Sequence, residues 1–221
     1  MGTLKSGRVP RLYLITDRQA TGGRPLPEVV AAALRGVAGS GLSPGRVAVQ
    51  LREKDLSGSA LTELGRALRA ITAAAGAGLW INDRIDVALA VGADGVHLHN
   101  GSIDVAAAAR VAGDLAIAVS AHAPQEVAAL AAASARSPVA FALLGPIHDT
   151  PSKRRFGPPL GTGAITIAAG AAIPIVAVGG IDPARVRGAL DAGARGVACI
   201  RAVMAAPDPA AAVNAFCQEL K

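Results

Sequence analysis

Gln50, Arg52 and Lys54 stand at alternate positions and bring an amide and two cations into one short stretch. On an extended strand a spacing of two puts side chains on one face, so the three are expected to point together, with Val49 and Leu51 turned toward helices. Arginine forks onto two oxygens and lysine acts as a point charge, which suits a phosphate or pyrophosphate. Lys54 could instead begin a loop and pair with Glu53 or Asp55. Further along, Asp83 follows Asn82 and offers a carboxylate to a hard cation such as magnesium, which takes one or two carboxylates with phosphate oxygens and water. An aspartate just past a strand is also a common helix N-cap, and both readings stay open. Thr150, Ser152 and Lys153 supply two hydroxyls and an ammonium, either as an anion-gripping lid or as a solvated turn. Gly179 and Gly180 remove side chains where backbone N–H groups could approach a phosphate. Gly161-Thr162-Gly163 follows no strand and reads as a helix-start turn. The histidines, His97, His99, His122 and His148, lack the spacing of a zinc site. His122 lies just past a strand, placed for proton transfer or for a bond to a neighbouring loop.

These residues need elements to hold them, and the chain alternates short apolar runs with alanine-rich helical stretches. Strands are expected at Leu12–Thr16, Val47–Leu51, Leu79–Ile81, Gly95–Leu98, Leu115–Val119, Val139–Leu144, Ile175–Val178 and Val197–Ile200. Between them apolar residues recur at helical spacing, as in Leu61, Leu64, Leu68 and Ile71, or Val186, Leu190 and Ala194 behind an Asp182 cap and Pro183. Such alternation implies parallel β/α units. An open doubly wound sheet would also alternate, but eight strands without an early Gly-x-Gly-x-x-Gly favour a single (β/α)8 TIM barrel over residues 1–221. Residues 1–10 are expected to form a flexible N-terminal extension. Polar groups gather at the carboxyl ends of the strands, the rim where barrel active sites form: Thr16 and Asp17, Gln50 to Lys54, Asn82 and Asp83, His97 and His99, Ser120 and His122, then Gly179, Gly180 and Arg201. The stretch from Ile147 to Pro159 is the longest irregular one, and loops of that length are usually functional or mobile.

Composition narrows the function classes. With 52% hydrophobic but only 2% aromatic residues, the core must be built from Ala, Val, Leu and Ile, and stacking platforms for single-stranded nucleic acid are not expected. The net charge of +6 is read first as a solvated surface and next as affinity for phosphorylated metabolites, with nucleic acid a distant third. Two cysteines without CxxC spacing suggest reduced thiols and a cytoplasmic protein. No apolar run is long enough to span a membrane, and oligomeric state is not legible.

The segments LYLITD, VQLREKDLS, INDRIDVALAVGADGVHL, VSAH, LLGPIHDTPSK, IVAVGGI and GVACIRAVM together resemble the thiamine phosphate synthase and thiazole tautomerase superfamily over nearly the whole chain. The resemblance implies a (β/α)8 transferase that joins a pyrimidine methyl pyrophosphate to a thiazole phosphate and releases pyrophosphate, with magnesium and cations steadying the leaving group. It implies Gln50, Arg52, Lys54 and Asn82 on the pyrimidine pyrophosphate, Lys153 on its phosphates, Ser120 lining the pyrimidine pocket and magnesium on Asp83. Thr150, Ser152, Gly179, Gly180 and the strand-eight end at Ile200 and Arg201 would take the thiazole phosphate. Lys153 and Arg52 would carry catalysis in the synthase branch and His122 in the tautomerase branch, where a histidine at this position moves a ring proton on a carboxythiazole phosphate. Three features depart from the synthase pattern. Ser102 stands where a second magnesium-binding aspartate is expected, so magnesium should bind weakly. Arg201 replaces a serine, and GVHLHNGS resembles the tautomerase branch. A catalytically silent barrel that binds phosphate ligands is the reading from a different class.

Overall fold

The computed structural model describes residues 9–99, 101–134, 139–150, 154 and 157–221. Eight parallel strands close into a barrel: β1 (Leu12–Ile15), β2 (Val47–Leu51), β3 (Gly78–Asn82), β4 (Gly95–Leu98), β5 (Ala116–Ala121), β6 (Phe141–Leu144), β7 (Ile175–Val178) and β8 (Gly196–Cys199). Pairing of Leu12 with Val197 and Leu14 with Cys199 joins the last strand to the first, which excludes the open sheet. Each run expected from the sequence is a strand. β5 runs two residues further than expected, because Ser120 and Ala121 continue the ladder against Leu143 and Leu144. Outside the barrel lie α1 (Leu26–Arg35), α2 (Gly58–Ala75), α3 (Ile85–Ala90), α4 (Val105–Val111), α5 (Pro124–Ser134), α6 (Thr162–Ala168), α7 (Pro183–Asp191), α8 (Arg201–Met204) and α9 (Pro209–Glu219). Asp182 caps α7 through the Arg185 N–H ahead of Pro183, and Gly161 is the N-cap of α6, both as their residue types require.

Strand alternation divides the apolar residues into two cores. Leu12, Leu14, Val47, Val49, Leu51 and Ile81 face outward onto the helices. Inside the barrel, Tyr13, Ile15, Trp80, Phe141 and Leu143 interdigitate with the small residues Ala48, Ala118 and Ala198. The expectation of a core built from Ala, Val, Leu and Ile therefore describes most of the outer core, where Phe216 is the aromatic exception among the described residues, but not the barrel interior. Within it, the Tyr13, Trp80 and Phe141 rings meet edge to face at centroid distances of 5.1–6.2 Å, an arrangement that adds to their area burial. The small residues make room for the rings, and the rings leave no pore beneath the mouth.

The lower end, where the strands begin, is tied by Asp94. Its Oδ2 accepts from the Leu79 N–H and the Arg69 guanidinium, each at 2.7 Å, and Arg69 also donates to the Ala77 carbonyl at 3.3 Å. The C-terminal helix closes the outer ring by lying against the end of α1. A Cβ built on Gly36 would stand 2.1 Å from the Ala210 carbonyl oxygen, so only glycine permits this approach.

Candidate active site

At the mouth the polar side chains form chains of hydrogen bonds whose direction can be deduced. Asn82 Nδ2 donates to Asp83 Oδ2 at 2.7 Å, and Gln50 Nε2 donates to Asn82 Oδ1 at 3.3 Å. An ionised carboxylate only accepts, so Asn82 must offer it the amino group, which turns Asn82 Oδ1 toward Gln50 and fixes Gln50 in turn. Gln50 Oε1 is then left buried at the carboxyl end of β2 with no partner among the described residues. A buried orphan acceptor costs about 1–3 kcal/mol, and a ligand N–H would relieve it.

A second chain runs from the interior. Tyr13 and His97, both fully buried, meet at 3.3 Å between the hydroxyl and Nδ1, and His97 Nε2 lies 3.0 Å from Ser120 Oγ. Tyr13 sits among apolar rings with no other acceptor among the described residues, so its proton must go to Nδ1. His97 is therefore the Nε2–H tautomer and donates to Ser120, leaving the serine proton free to point into the mouth. Burial holds the imidazole neutral, its pKa pushed down to about 3. One chain thus presents an acceptor and the other a donor.

Asp83 has φ 59°, the left-handed region, and is the one non-glycine residue with positive φ among those described. Such a conformation costs on the order of 1 kcal/mol or more and must be held by its surroundings. The holding groups are the His99 N–H at 3.0 Å and His99 Nδ1 at 2.8 Å, both on Oδ1, together with Ser102. Burial pushes the carboxyl up, yet the bonds from His99 and Ser102 outweigh it and the pKa falls below the ordinary value. Asp83 does not cap α3, whose N-cap is Arg84 without a side-chain bond, so the N-cap reading is set aside. Two further acids act as helix caps: Asp104 on α4 through the Ala107 N–H, and Asp17 on the short turn Arg18–Ala20 through the Gln19 N–H. Among the described residues no group of three potential metal ligands comes together. Asp83 could fill one place in a magnesium shell, and substrate oxygens and water would have to fill the rest.

The reading of strand two needs a correction. β2 ends at Leu51, so Gln50 faces the interior while Arg52 and Lys54 lie in the loop beyond, Arg52 half-buried and Lys54 exposed. Thr16 Oγ1 accepts from the Arg52 N–H at 2.9 Å and so fixes the loop's start. Lys54 pairs with neither neighbouring acid. Glu53 turns inward, 6% exposed, to accept from the Arg18 N–H at 3.1 Å, and Asp55 holds the Arg18 guanidinium at 2.8 Å. Burial pushes the Glu53 carboxyl up, against the pull of Thr16 and Arg18. This clamp between the β1 and β2 loops leaves the two cations unengaged by these acids.

On the other side of the mouth, His122 Nδ1 lies 2.9 Å from the Gly145 carbonyl. A carbonyl only accepts, so Nδ1 carries the proton and Nε2 is the basic nitrogen. Gly179 and Gly180 have φ 100° and 62°, and Cβ atoms there would stand 2.6 Å from Pro146 Cα and from the Asp149 carbonyl oxygen. They make room first for the β6 loop, which the Ile147 and His148 N–H groups anchor onto Val178 and Gly179. Thr150 is half-exposed at the end of that anchored stretch, while Ser152 and Lys153 lie outside the described residues. Ile200 is the N-cap of α8 and packs, partly buried, against the interior core, with Arg201 exposed beside it. The interior place of Tyr13, the inward turn of Glu53 and the buried ring nitrogen of His148 go beyond what the sequence indicates. His148 Nε2 is buried without a partner among the described residues, and its only sequence signal was its place in the longest loop.

A closed barrel with a polar mouth of this kind belongs to the large class of (β/α)8 enzymes that act on small molecules at the carboxyl ends of their strands. The family model of thiamine monophosphate synthase matches residues 12–203. The chain is 43% identical to the thiamine-phosphate synthase of Roseiflexus castenholzii, covering 93% of this chain and 86% of that one, and 46% identical to a putative thiamine-phosphate synthase of Geobacter sulfurreducens, covering 90% and 88%. Thiamine phosphate pyrophosphorylase from Pyrococcus furiosus superposes with a TM-score of 0.80 at 31% identity, over 97% of this chain and 96% of that one. The chain belongs to the thiamine monophosphate synthase family.

Proposed function

We propose that this enzyme joins a pyrimidine methyl pyrophosphate to a thiazole phosphate and releases pyrophosphate. The observation that carries the site reading is the pair of unspent groups at the mouth, the Gln50 Oε1 acceptor and the Ser120 hydroxyl donor. A pyrimidine ring that bears an N–H donor beside a ring nitrogen would satisfy both and be held edge-on. With the ring so placed, its methylene carbon and pyrophosphate would lie toward Arg52 and Lys54. The bond from that carbon to the pyrophosphate oxygen breaks, and its electron pair leaves with the pyrophosphate. The lone pair of the thiazole nitrogen then forms the new carbon–nitrogen bond, and no proton need move. Positive groups that meet the departing charge lower the barrier most; Arg52, Lys54 and Lys153 would serve. Magnesium, when bound, would add positive charge at the same oxygens, and Asp83 would hold it. Thr150, Ser152, Gly179, Gly180, Ile200 and Arg201 would take the thiazole phosphate across the mouth.

The test is purified protein with both phosphorylated substrates and magnesium, following pyrophosphate release and the joined product. Product formation that falls at least about tenfold in both Gln50→Leu and Ser120→Ala supports the reading; turnover unchanged in both sinks the site assignment. His122, with Nδ1 pinned and Nε2 basic, favours a second reading, proton transfer on a carboxythiazole phosphate without metal. Isomerisation in the absence of any joined product would establish that reading instead. Two free cysteines, both buried, support a reducing cytoplasmic setting, and no helix among the described residues is long and apolar enough to cross a membrane.

A further inference from the structure

A cleft of about 670 Å³ lies at the end of the barrel opposite the mouth, between α7 and the starts of β1, β7 and β8. Arg11, Arg187 and Arg195 line it, and Asp191 is the one carboxylate in its wall. Among the described residues none of the three arginines makes an ion pair. Arg11 is pinned instead by backbone carbonyls, donating to Leu220 at 3.0 Å and to Arg195 at 3.2 Å. Its guanidinium is pulled below its ordinary pKa by burial first and then by Arg46, Arg187 and Arg195, so four like charges share this end. Cations at the carboxyl ends of helices often offset the helix dipole. That does not account for these, since Arg187 lies in the middle of α7 and Arg11 and Arg195 precede strands. The floor is apolar, formed by Ile173, Pro174 and Leu190.

A basic wall over an apolar floor fits an anion that carries an organic body. Guanidinium groups are the side chains best matched to phosphate oxygens, and the volume is that of a small-molecule pocket. We infer that this cleft is a second ligand site, separate from the catalytic mouth, for a phosphorylated organic anion of the size of a nucleoside diphosphate.

Calorimetric titration with ADP in magnesium-free buffer tests it on the full chain. Wild type is expected to bind. Arg187→Gln with Arg195→Gln should weaken that binding at least about tenfold, while Asn82→Ala at the mouth leaves it in place. Turnover without ADP should be unchanged in the arginine variants, which confirms that they fold. Should the double variant fold poorly, Arg187→Gln alone, an exposed change, is expected to weaken ADP binding several-fold. Three results would each overturn the inference: no heat from wild type at millimolar ADP, binding indifferent to the arginine changes, or binding abolished by Asn82→Ala alone. Capture only of polyanions such as RNA, with steep salt dependence, would also overturn it, because the surface would then be a general electrostatic patch.

Discussion

At the scale of single residues, direction matters as much as position. Asp83, an acceptor only, orients Asn82 and Gln50, and a buried tyrosine proton orients His97 and Ser120. His97 makes this testable through pH. The unfolded chain protonates this histidine near its ordinary value of 6.5, whereas the folded protein resists until about 3. Between those values the unfolded state binds more protons, so stability is present above 6.5 and is lost as pH falls, by up to about 1.4 kcal/mol per pH unit. Denaturant titrations at pH 7, 5.5 and 4.5 should show a shallower acid loss in His97→Gln than in wild type, although the variant starts less stable; parallel losses would contradict the assignment. The metal position yields a second residue-scale prediction. Because Ser102 brings a hydroxyl to Asp83 where a second carboxylate would add charge, magnesium should bind the free protein weakly and bind well only with pyrophosphate present. Ser102→Asp should tighten it in calorimetry. Tight binding to the unliganded wild type would show that another acid completes the shell.

At the scale of elements, the strands and their polar carboxyl ends were legible because alternation and punctuation are local signals. Val49 and Leu51 face the helices as their spacing predicts. Arg52 and Lys54 escape the same rule because the strand stops at Leu51, as its apolar run predicts, and alternation does not carry into the loop beyond. The bonds of Asp83 to His99, Glu53 to Arg18 and Tyr13 to His97 join residues from different β/α units, contacts that exist only once those units have packed together. The missing side chains of Gly179 and Gly180 first admit the β6 loop, and only then leave room for a phosphate. Gly179→Ala should therefore cost about 1–3 kcal/mol through φ strain and the clash with Pro146, and should raise KM for the thiazole substrate by displacing Thr150. A variant of wild-type stability and KM would refute that coupling. Lys153, three residues beyond Thr150 in sequence, is expected to act on the leaving group, so Lys153→Ala should lower kcat by roughly 10²–10³-fold with an unchanged circular dichroism spectrum. Kinetics equal to wild type would remove it from the mechanism.

For the whole molecule, closure rather than any single helix provides the frame, and the last helix provides the seal. α9 buries Val213, Phe216 and Cys217 and lies against α1 where Gly36 admits Ala210. Each buried aliphatic or aromatic side chain contributes roughly 1.5–3 kcal/mol, a large part of the net stability of a domain. Ending the chain at Pro207 should leave no cooperative thermal transition, and retention of a sharp one would show that the barrel stands without its seal. The basic residues teach the complementary lesson at this scale. Scattered through the sequence, Arg11, Arg187 and Arg195 read as ordinary solvated charge, and only the fold gathers them around one cleft. The packing inside the barrel has a practical consequence as well. Trp80 is the only tryptophan in the chain, it is fully buried beside Tyr13 and Phe141, and its indole N–H has no partner among the described residues. Its fluorescence should emit at the blue end of the indole range and shift to the red only when water enters the barrel, giving an intrinsic optical signal for opening of the lumen that no helix or surface loop can imitate.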